Sequence, residues 1–148
     1  MLTIKRAKKV FGLVAAAVIV TAVGCGKAGP KTHAVKGTVT LDGGDVAHLA
    51  GHSVEAVLES DPAVRASGVI QKDGSFTLVS LLEGQMRDGA APGKYRARII
   101  VSDDPDETGK KPPRPPLANR YYRVETANLS FVVDEAAPVQ LALSARGK

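Results

Sequence analysis

The sequence predicts an all-β fold, an antiparallel sandwich that follows a cleaved N-terminal signal peptide. Apolar and polar residues alternate in several short runs after residue 32. Turn residues separate these runs at intervals of about 8 to 12 residues. No window in the same region keeps helical spacing for three turns. Short strands at such intervals are typical of an antiparallel sandwich or barrel.

The chain begins with a basic segment followed by an apolar one. Four basic residues between Lys5 and Lys9 precede an apolar run over 10–23, which is the order of a secretory signal. At 1.5 Å rise per residue, this run would form about 21 Å of helix, shorter than the roughly 30 Å hydrocarbon core of a bilayer. We therefore expect residues 1–24 to be a cleaved signal peptide rather than a spanning helix.

Cys25 is the only cysteine, and it directly follows Ala22, Val23 and Gly24. This stretch resembles the lipobox of bacterial lipoproteins. The resemblance implies that Cys25 carries lipid and becomes the N-terminus of an exported, membrane-anchored protein. Because Gly26 follows instead of aspartate, it also implies the outer membrane or the periplasmic face. The alternative is an ordinary cleaved signal beside an unmodified cysteine.

Removal of the predicted signal peptide would lower the net charge of the chain, and this changes which partners the charge indicates. The whole chain has a formal net charge of +5, and residues 1–24 contribute four positive and no negative charges, which leaves +1 (5 − 4). Nucleic-acid binding is therefore not indicated. The remaining 124 residues (148 − 24) have the size of one domain. We expect 25–33 to be the lipidated cysteine with a flexible spacer, and 34–146 to form that domain.

Seven strands are predicted, each from its own alternation. In the first, Val35, Gly37, Val39 and Leu41 share one face. The others are predicted at 53–59, 68–71, 76–80, 95–101, 129–133 and 139–143.

Two glycine turns punctuate these strands. Asp73-Gly74 lies between two extended runs, and this dipeptide predicts a type I′ hairpin because glycine accepts positive φ without steric cost. Pro92-Gly93 predicts the turn before the strand that contains Tyr95.

Three motifs, at 35–43, 73–76 and 91–97, resemble those of carboxypeptidase-regulatory-like, transthyretin-like domains, and the stretches 119–121 and 129–133 fit the end of the same pattern. The resemblance implies a seven-stranded Greek-key sandwich, also called prealbumin-like, over 34–146. The motif residues are expected to form turns and core rather than a reactive site. They are Gly37, Asp73, Gly74, Phe76, Pro92, Gly93 and Tyr95.

No catalytic residue, cofactor or metal site is predicted. His48 and His52 have the i, i+4 spacing of a helical metal pair, but Gly51 lies between them and no third ligand is evident. A hydrolase that shares the transthyretin-like fold would require a C-terminal Tyr-Arg-Gly-Ser signature, whereas this chain ends in Ser144-Ala-Arg-Gly-Lys148. His48 is therefore expected to be a loop histidine and His52 a histidine at the start of a strand, while His33 is too distant in sequence to join them.

One loop, 103–116, is a candidate for contact with a partner. Its acidic cluster 103–107 could bind calcium, but Lys110 and Lys111 and a proline-rich run follow at once. We expect a mobile, solvated loop that ends in polyproline II. Tyr121 and Tyr122, if extended, face opposite sides, and the outward ring could stack on a ligand.

These observations predict a non-catalytic binding or structural module of the cell envelope. Its expected partners are the membrane, through lipid on Cys25, and an envelope protein or glycan, with no nucleic acid. The alternatives are a carbohydrate-binding module, an adhesion or assembly subunit with an exposed edge strand and, least favoured, a metal-dependent hydrolase. Only three Tyr and three Phe are present, which disfavours a carbohydrate platform.

Overall fold

The computed structural model describes residues 29–134 and 138–146. The predicted signal peptide 1–24, with Ala22, Val23 and Gly24, and the predicted lipidation site Cys25 lie outside these ranges. Within them, no helix has both the length and the apolar character needed to cross a bilayer.

The described residues form a nearly all-β structure, as the sequence predicts. Helical structure is limited to 3₁₀ turns at Val46–Leu49 and Asn119–Tyr122 and a single α-turn, α1, at Val124–Ala127. The strands are β1 Lys36–Asp42, β2 Ser53–Leu58, β3 Arg65–Val69, β4 Ser75–Thr77, β5 Val79–Leu82, β6 Gln85–Asp88, β7 Gly93–Ile100, β8 Leu129–Val133 and β9 Val139–Ser144.

The strands make two sheets. One has three strands in the order β4-β1-β9, and the other has six in the order β6-β5-β3-β2-β7-β8. All strand pairs are antiparallel except β1 and β9, which run parallel with Gly37 opposite Val139 and Asp42 opposite Ser144. The first and last strands of the described chain therefore lie side by side in the smaller sheet.

The strand count differs from the predicted seven. The predicted strand 76–80 is divided: β4 pairs with β1 in the small sheet, whereas β5 pairs with β3 in the large one. The chain crosses between the sheets at Leu78, which is fully buried and donates its N–H to Val35 O at 3.0 Å. Strand β6 was not predicted because its residues, Gln85–Asp88, do not alternate.

The two sheets share one buried core. Inward positions alternate with outward ones along the strands, so that every second residue of β1, β2 and β7 is buried. Tyr95 is completely buried, and its ring stacks on that of Phe131 with 5.6 Å between centroids. Buried side chains from both sheets belong to a single cluster, as expected for a sandwich.

The Asp73-Gly74 turn is not the predicted type I′ hairpin. Gly74 donates its N–H to Gln71 O at 2.9 Å, which makes Lys72 and Asp73 the central residues, and neither has positive φ. Gly74 follows with φ +83°, the arrangement of a type I turn with a left-handed glycine. The Asp73 carboxylate stabilises this alternative by accepting from Ser75 N–H at 2.9 Å and Ser75 Oγ at 2.6 Å.

Tyr121 and Tyr122 do not lie in a strand. They end the 3₁₀ turn Asn119–Tyr122, where Tyr121 is buried and Tyr122 is partly buried. A residue that follows this turn stabilises it, because Thr126 Oγ1 donates a hydrogen bond to Arg120 O at 2.7 Å.

Candidate functional site

The outward face of the six-stranded sheet carries the main concentration of ion pairs among the described residues. The alternation that sends Val54 and Ala56 inward sends Glu55 outward, and the same pattern in β7 sends Lys94, Arg96 and Arg98 outward. Glu59, which follows β2, and Arg65 of β3 join them. We call this set of residues the charged face. Its members are Glu55, Glu59, Arg65, Lys94, Arg96 and Arg98.

Each glutamate of the charged face contacts two cations. Glu55 Oε2 accepts from Arg98 Nε at 2.6 Å, and its Oε1 accepts from Arg65 Nη1 at 3.3 Å. Sheet pairing explains this contact, since Glu55 lies opposite Arg98 in the β2–β7 register.

Glu59, which directly follows β2, contacts the other two cations. Its Oε2 lies 3.3 Å from Lys94 Nζ and its Oε1 lies 3.3 Å from Arg96 Nε. The charged face therefore holds four cations on two carboxylates.

A groove lies across the middle of the charged face. Val57 forms its floor, with Arg65 on the neighbouring β3 and Arg96 on the neighbouring β7. Pro62 and the α1 residues Val124 and Glu125 also line it, and its volume is about 450 Å³. We call this depression the arginine groove.

A contribution to folding stability does not account for the ion pairs that Arg65 and Arg96 make in the charged face. The Arg65 and Arg96 side chains remain 54% and 55% exposed, and exposed ion pairs typically contribute only about 0 to 1 kcal/mol. Their guanidinium groups are therefore accessible to a ligand.

His52 has a structural position. It is fully buried just before β2, its Nδ1 accepts from Ser102 N–H at 3.1 Å, and its Nε2 lies 3.0 Å from Pro113 O. These partners assign the tautomer with the proton on Nε2, because a carbonyl can only accept. The side chain thus connects both ends of the loop 103–116 to the domain.

The other two histidines do not join His52. His48 is exposed in the first 3₁₀ turn, and His33 pairs through its backbone with Ala90, with N···O distances of 2.9 and 3.0 Å. Hydrogen bonding to the domain therefore begins inside the segment predicted as a spacer. Over 29–134 and 138–146, no three metal-ligating side chains come together.

The acidic cluster of the loop contains a turn. Asp106 Oδ1 accepts hydrogen bonds from Thr108 N–H at 2.8 Å, Thr108 Oγ1 at 2.6 Å and Lys110 N–H at 3.0 Å. These bonds, the Thr108 side chain first, lower the pKa of Asp106. The carboxylate thus holds the backbone in place, which is a different role from the calcium ligation weighed above.

The proline-rich end of this loop rests on the domain. Pro115 is buried, its carbonyl accepts from Tyr122 Oη at 3.2 Å, and the Arg114 guanidinium lies 5.7 Å from the centroid of the Tyr122 ring. The Tyr122 ring and hydroxyl are both in contact with the loop. They do not form the open stacking platform that the sequence suggested.

Tyr121 closes the end of the small sheet. Its Oη accepts from Ser144 N–H at 3.0 Å and from Arg120 Nη2 at 2.7 Å, so its own proton faces Ser144 Oγ at 3.0 Å. Burial raises the pKa of Tyr121, but the hydrogen bonds from Ser144 and Arg120 outweigh it and the net shift is downward.

The motif residues lie in turns and core. A side chain on Gly37 would meet the Phe76 ring, one on Gly93 would meet Leu58, and Phe76 itself is buried. Tyr95 Oη donates to Ala91 O at 2.9 Å, across the exposed Pro92.

The charged face was not identified from the sequence, although a signal is present. Glu55 and Glu59 lie at outward positions of one predicted strand, and Arg96 and Arg98 lie at outward positions of another. Their encounter depends on the pairing of β2 with β7, and four other strands lie between these two in the chain. Comparisons of the chain with protein-family models, with curated proteins and with solved structures find no match.

Proposed function

We propose that the protein is an exported, lipid-anchored binding module of the cell envelope and that it has no catalytic role. The observation that carries the binding role is the arginine groove, an open depression on a sheet face with accessible guanidinium groups. An open face of this kind suits recognition of a partner. The signal-like segment and Cys25 support the membrane anchor.

We further propose that the sandwich is transthyretin-like. The motifs at 35–43, 73–76 and 91–97 support this assignment. Counting β4 and β5 as one interrupted strand and β6 as an added edge strand reduces the nine strands to seven (9 − 1 − 1). A crystal structure whose strand connections differ from the Greek key of that family would overturn the assignment.

The anchor is tested by the variant Cys25→Ser. The wild-type chain should fractionate with membranes and carry a lipid-modified Cys25 by mass spectrometry. The variant should appear in the soluble fraction, because acyl chains that contribute about 0.8 kcal/mol per buried CH₂ are lost. An unmodified wild-type N-terminus at any residue other than Cys25 would contradict the lipoprotein assignment.

The binding role is tested in intact envelopes. Cross-linking of the anchored wild-type chain, followed by purification, should capture a specific envelope component. The matched control is Arg146→Gln, which removes one exposed arginine outside the charged face. It should capture the same component. Failure of the wild-type chain to capture any component above a Cys25→Ser background would contradict a binding role.

A second candidate function, an assembly subunit, is favoured by the outer edge of β9. Within residues 29–134 and 138–146, this strand pairs with β1 on one edge only. Ser144 N–H points to the other edge, where it donates to Tyr121 Oη. By alternation, the N–H groups of Gln140 and Ala142 point the same way. The strand contains no charged residue or proline, the usual protection against edge pairing.

The assembly function predicts self-association through β9. The wild-type chain should form oligomers in light scattering, and Ala142→Lys should dissociate them while the circular dichroism spectrum is unchanged. The Ala142 side chain is exposed, so a lysine fits there. A monomeric wild-type chain would exclude self-assembly by this edge.

A further inference from the structure

We propose that the arginine groove binds an extended acidic peptide segment of a partner protein, through carboxylates placed at alternate residues. This inference rests on the proposed binding function and specifies the chemistry of its ligand. It follows from the hydrogen-bonding capacity, charge, spacing and lining of the groove.

The arginines of the groove have unused donors. Arg98 contacts Glu55 through Nε, and Arg96 contacts Glu59 through Nε. Within the described residues, no hydrogen bond engages the Nη atoms of either side chain. A guanidinium presents five N–H donors and binds a carboxylate best through two of them. Arg96 and Arg98 can therefore each donate hydrogen bonds to a second carboxylate while they keep their present contact with a glutamate.

The local charge favours an anion. The charged face has four cations and two carboxylates, and Glu125 on the wall of the groove adds a third carboxylate, which leaves one net positive charge (4 − 3). A ligand with acidic groups would neutralise this excess. Electrostatic complementarity of this kind determines specificity and association rate.

The spacing fits an extended peptide. Arg96 and Arg98 are two residues apart on the same face of β7, so their Cα atoms are about 7 Å apart. Alternate residues of an extended peptide have the same spacing, and two acidic side chains at i and i+2 could address both arginines.

The lining also favours a peptide over a sugar. Val57, Pro62 and Val124 supply aliphatic contact surface for the residues between the acidic ones. No aromatic side chain of the described residues lines the groove, whereas saccharide recognition commonly uses aromatic rings as flat platforms.

The test uses the full chain purified in detergent and a fluorescein-labelled hexapeptide of alternating alanine and glutamate. Fluorescence anisotropy should show saturable binding that weakens strongly between about 20 mM and about 500 mM salt, because the charges involved are exposed. The same hexapeptide with glutamine in place of glutamate should not bind.

Three variants locate the site. Arg96→Gln should weaken binding about fivefold or more, and its fold should persist because Glu59 keeps Lys94 as a partner. Glu125→Gln should tighten binding, since it removes a negative charge from the groove wall. Arg146→Gln, which causes the same change in net charge as Arg96→Gln, should change the affinity by less than about twofold.

Three results would overturn the proposal: equal binding of the glutamate and glutamine peptides, equal effects of Arg96→Gln and Arg146→Gln, or binding of polyphosphate without binding of the acidic peptide. These outcomes are distinguishable from failure of the proposed function. Capture of an envelope component that Arg96→Gln does not reduce would retain a binding module and reject this groove as its site.

Discussion

At the scale of the residue, the sandwich depends on a few positions where no side chain fits. Gly74 has φ +83°, and a Cβ placed on it would clash with the Val39 carbonyl oxygen. Gly84 has a similar φ of +76°, but a Cβ there would meet no atom within 4 Å. Comparing Gly74 with Gly84 therefore separates the cost of a positive φ from the cost of a steric clash.

We predict that Gly74→Ala destabilises the domain more than Gly84→Ala. Both alanines must adopt positive φ, at a cost of about 1 kcal/mol. Only the alanine at position 74 must also displace the backbone of β1. We therefore expect Gly74→Ala to lower the free energy of unfolding by about 2 kcal/mol or more. Urea unfolding measures both values. Equal losses would show that the close approach at Gly74 is relieved without cost.

His52 provides a second prediction at this scale. His52→Phe retains the approximate shape but leaves Ser102 N–H and Pro113 O without their partner, which should cost about 1 to 3 kcal/mol in the free energy of unfolding. The matched control is His48→Phe, whose side chain is exposed and should change stability by less than about 0.5 kcal/mol. A stable His52→Phe variant would show that the loop does not depend on this contact.

At the scale of the element, the loop 103–116 has two differently held parts. Its first part contains the Asp106–Lys110 turn, which makes no backbone hydrogen bond to either sheet. Its second part is fixed by His52, by Tyr122 and by the burial of Pro115. Proteolysis should therefore begin in the first part.

We predict that trypsin cuts first after Lys110 while the sandwich stays folded, because the next bond, Lys111–Pro112, resists trypsin. Asp106→Ala should increase this cutting rate several-fold, because three hydrogen bonds that hold the turn are lost. Asp104→Ala is the control, since the Asp104 carboxylate has no hydrogen-bond partner among the described residues. Initial cleavage at Arg65 or Arg96, within the strands, would contradict this order.

The same turn should respond to acid. The pKa of Asp106 is lowered from 3.8 in the folded chain by its hydrogen bonds to Thr108 and Lys110. A lowered folded pKa means that the carboxylate stabilises the turn fully above the unfolded pKa and loses this effect as the pH falls through the folded pKa. The amide proton signals of Thr108 and Lys110 should therefore keep their positions down to about pH 4 and shift below it. Shifts centred above pH 4 would contradict the lowered pKa.

The elements that the sequence predicted correctly are those with clear alternation. β1, β2, β7, β8 and β9 lie close to their predicted ranges, because each buries one face and exposes the other. Local patterns could not predict that residues 76–80 change sheets at Leu78, since Phe76, Leu78 and Ser80 are all buried and read as one strand. β6 gives no apolar alternation because Gln85 and Arg87, which lie opposite the buried residues of β5, are polar and belong to an edge strand.

The candidate site was harder to predict than the fold for a related reason. Its residues are polar, and each is an ordinary outward position of its own strand. Only the order of strands in the six-stranded sheet brings the cations of β3 and β7 to the carboxylates of β2. The turn at Gly74 shows the same limit, because the choice between type I′ and type I depends on the Asp73 contact with Ser75.

At the scale of the whole molecule, the core requires strands from both ends of the described chain. Val139, Leu141 and Leu143 are buried in β9 beside β1. Each buried aliphatic side chain contributes about 1.5 to 3 kcal/mol, so their combined contribution is comparable to the total stability of a typical domain, about 5 to 15 kcal/mol.

We predict that deletion of residues 138–148 abolishes cooperative unfolding, whereas deletion of residues 2–28 leaves it intact. The first deletion removes β9 and uncovers Val39 and Leu41 of β1. Thermal unfolding followed by circular dichroism distinguishes the two, with a sigmoidal β-type transition expected only for the second. A cooperative transition in the first variant would show that the small sheet is stable without β9.

The parallel pairing of β1 with β9 also sets the order in which the chain can fold during synthesis. β1 leaves the ribosome first, and its hydrogen-bonding edge has no partner until residues 139–144 have been made. Contacts between such distant parts of a chain form slowly. The sandwich of the nascent chain therefore stays open until β9 has been synthesised, and an open chain is the form that a secretion channel can transport. For the exported protein proposed above, β9 would thus delay closure of the sandwich until residues 139–144 have also crossed the membrane.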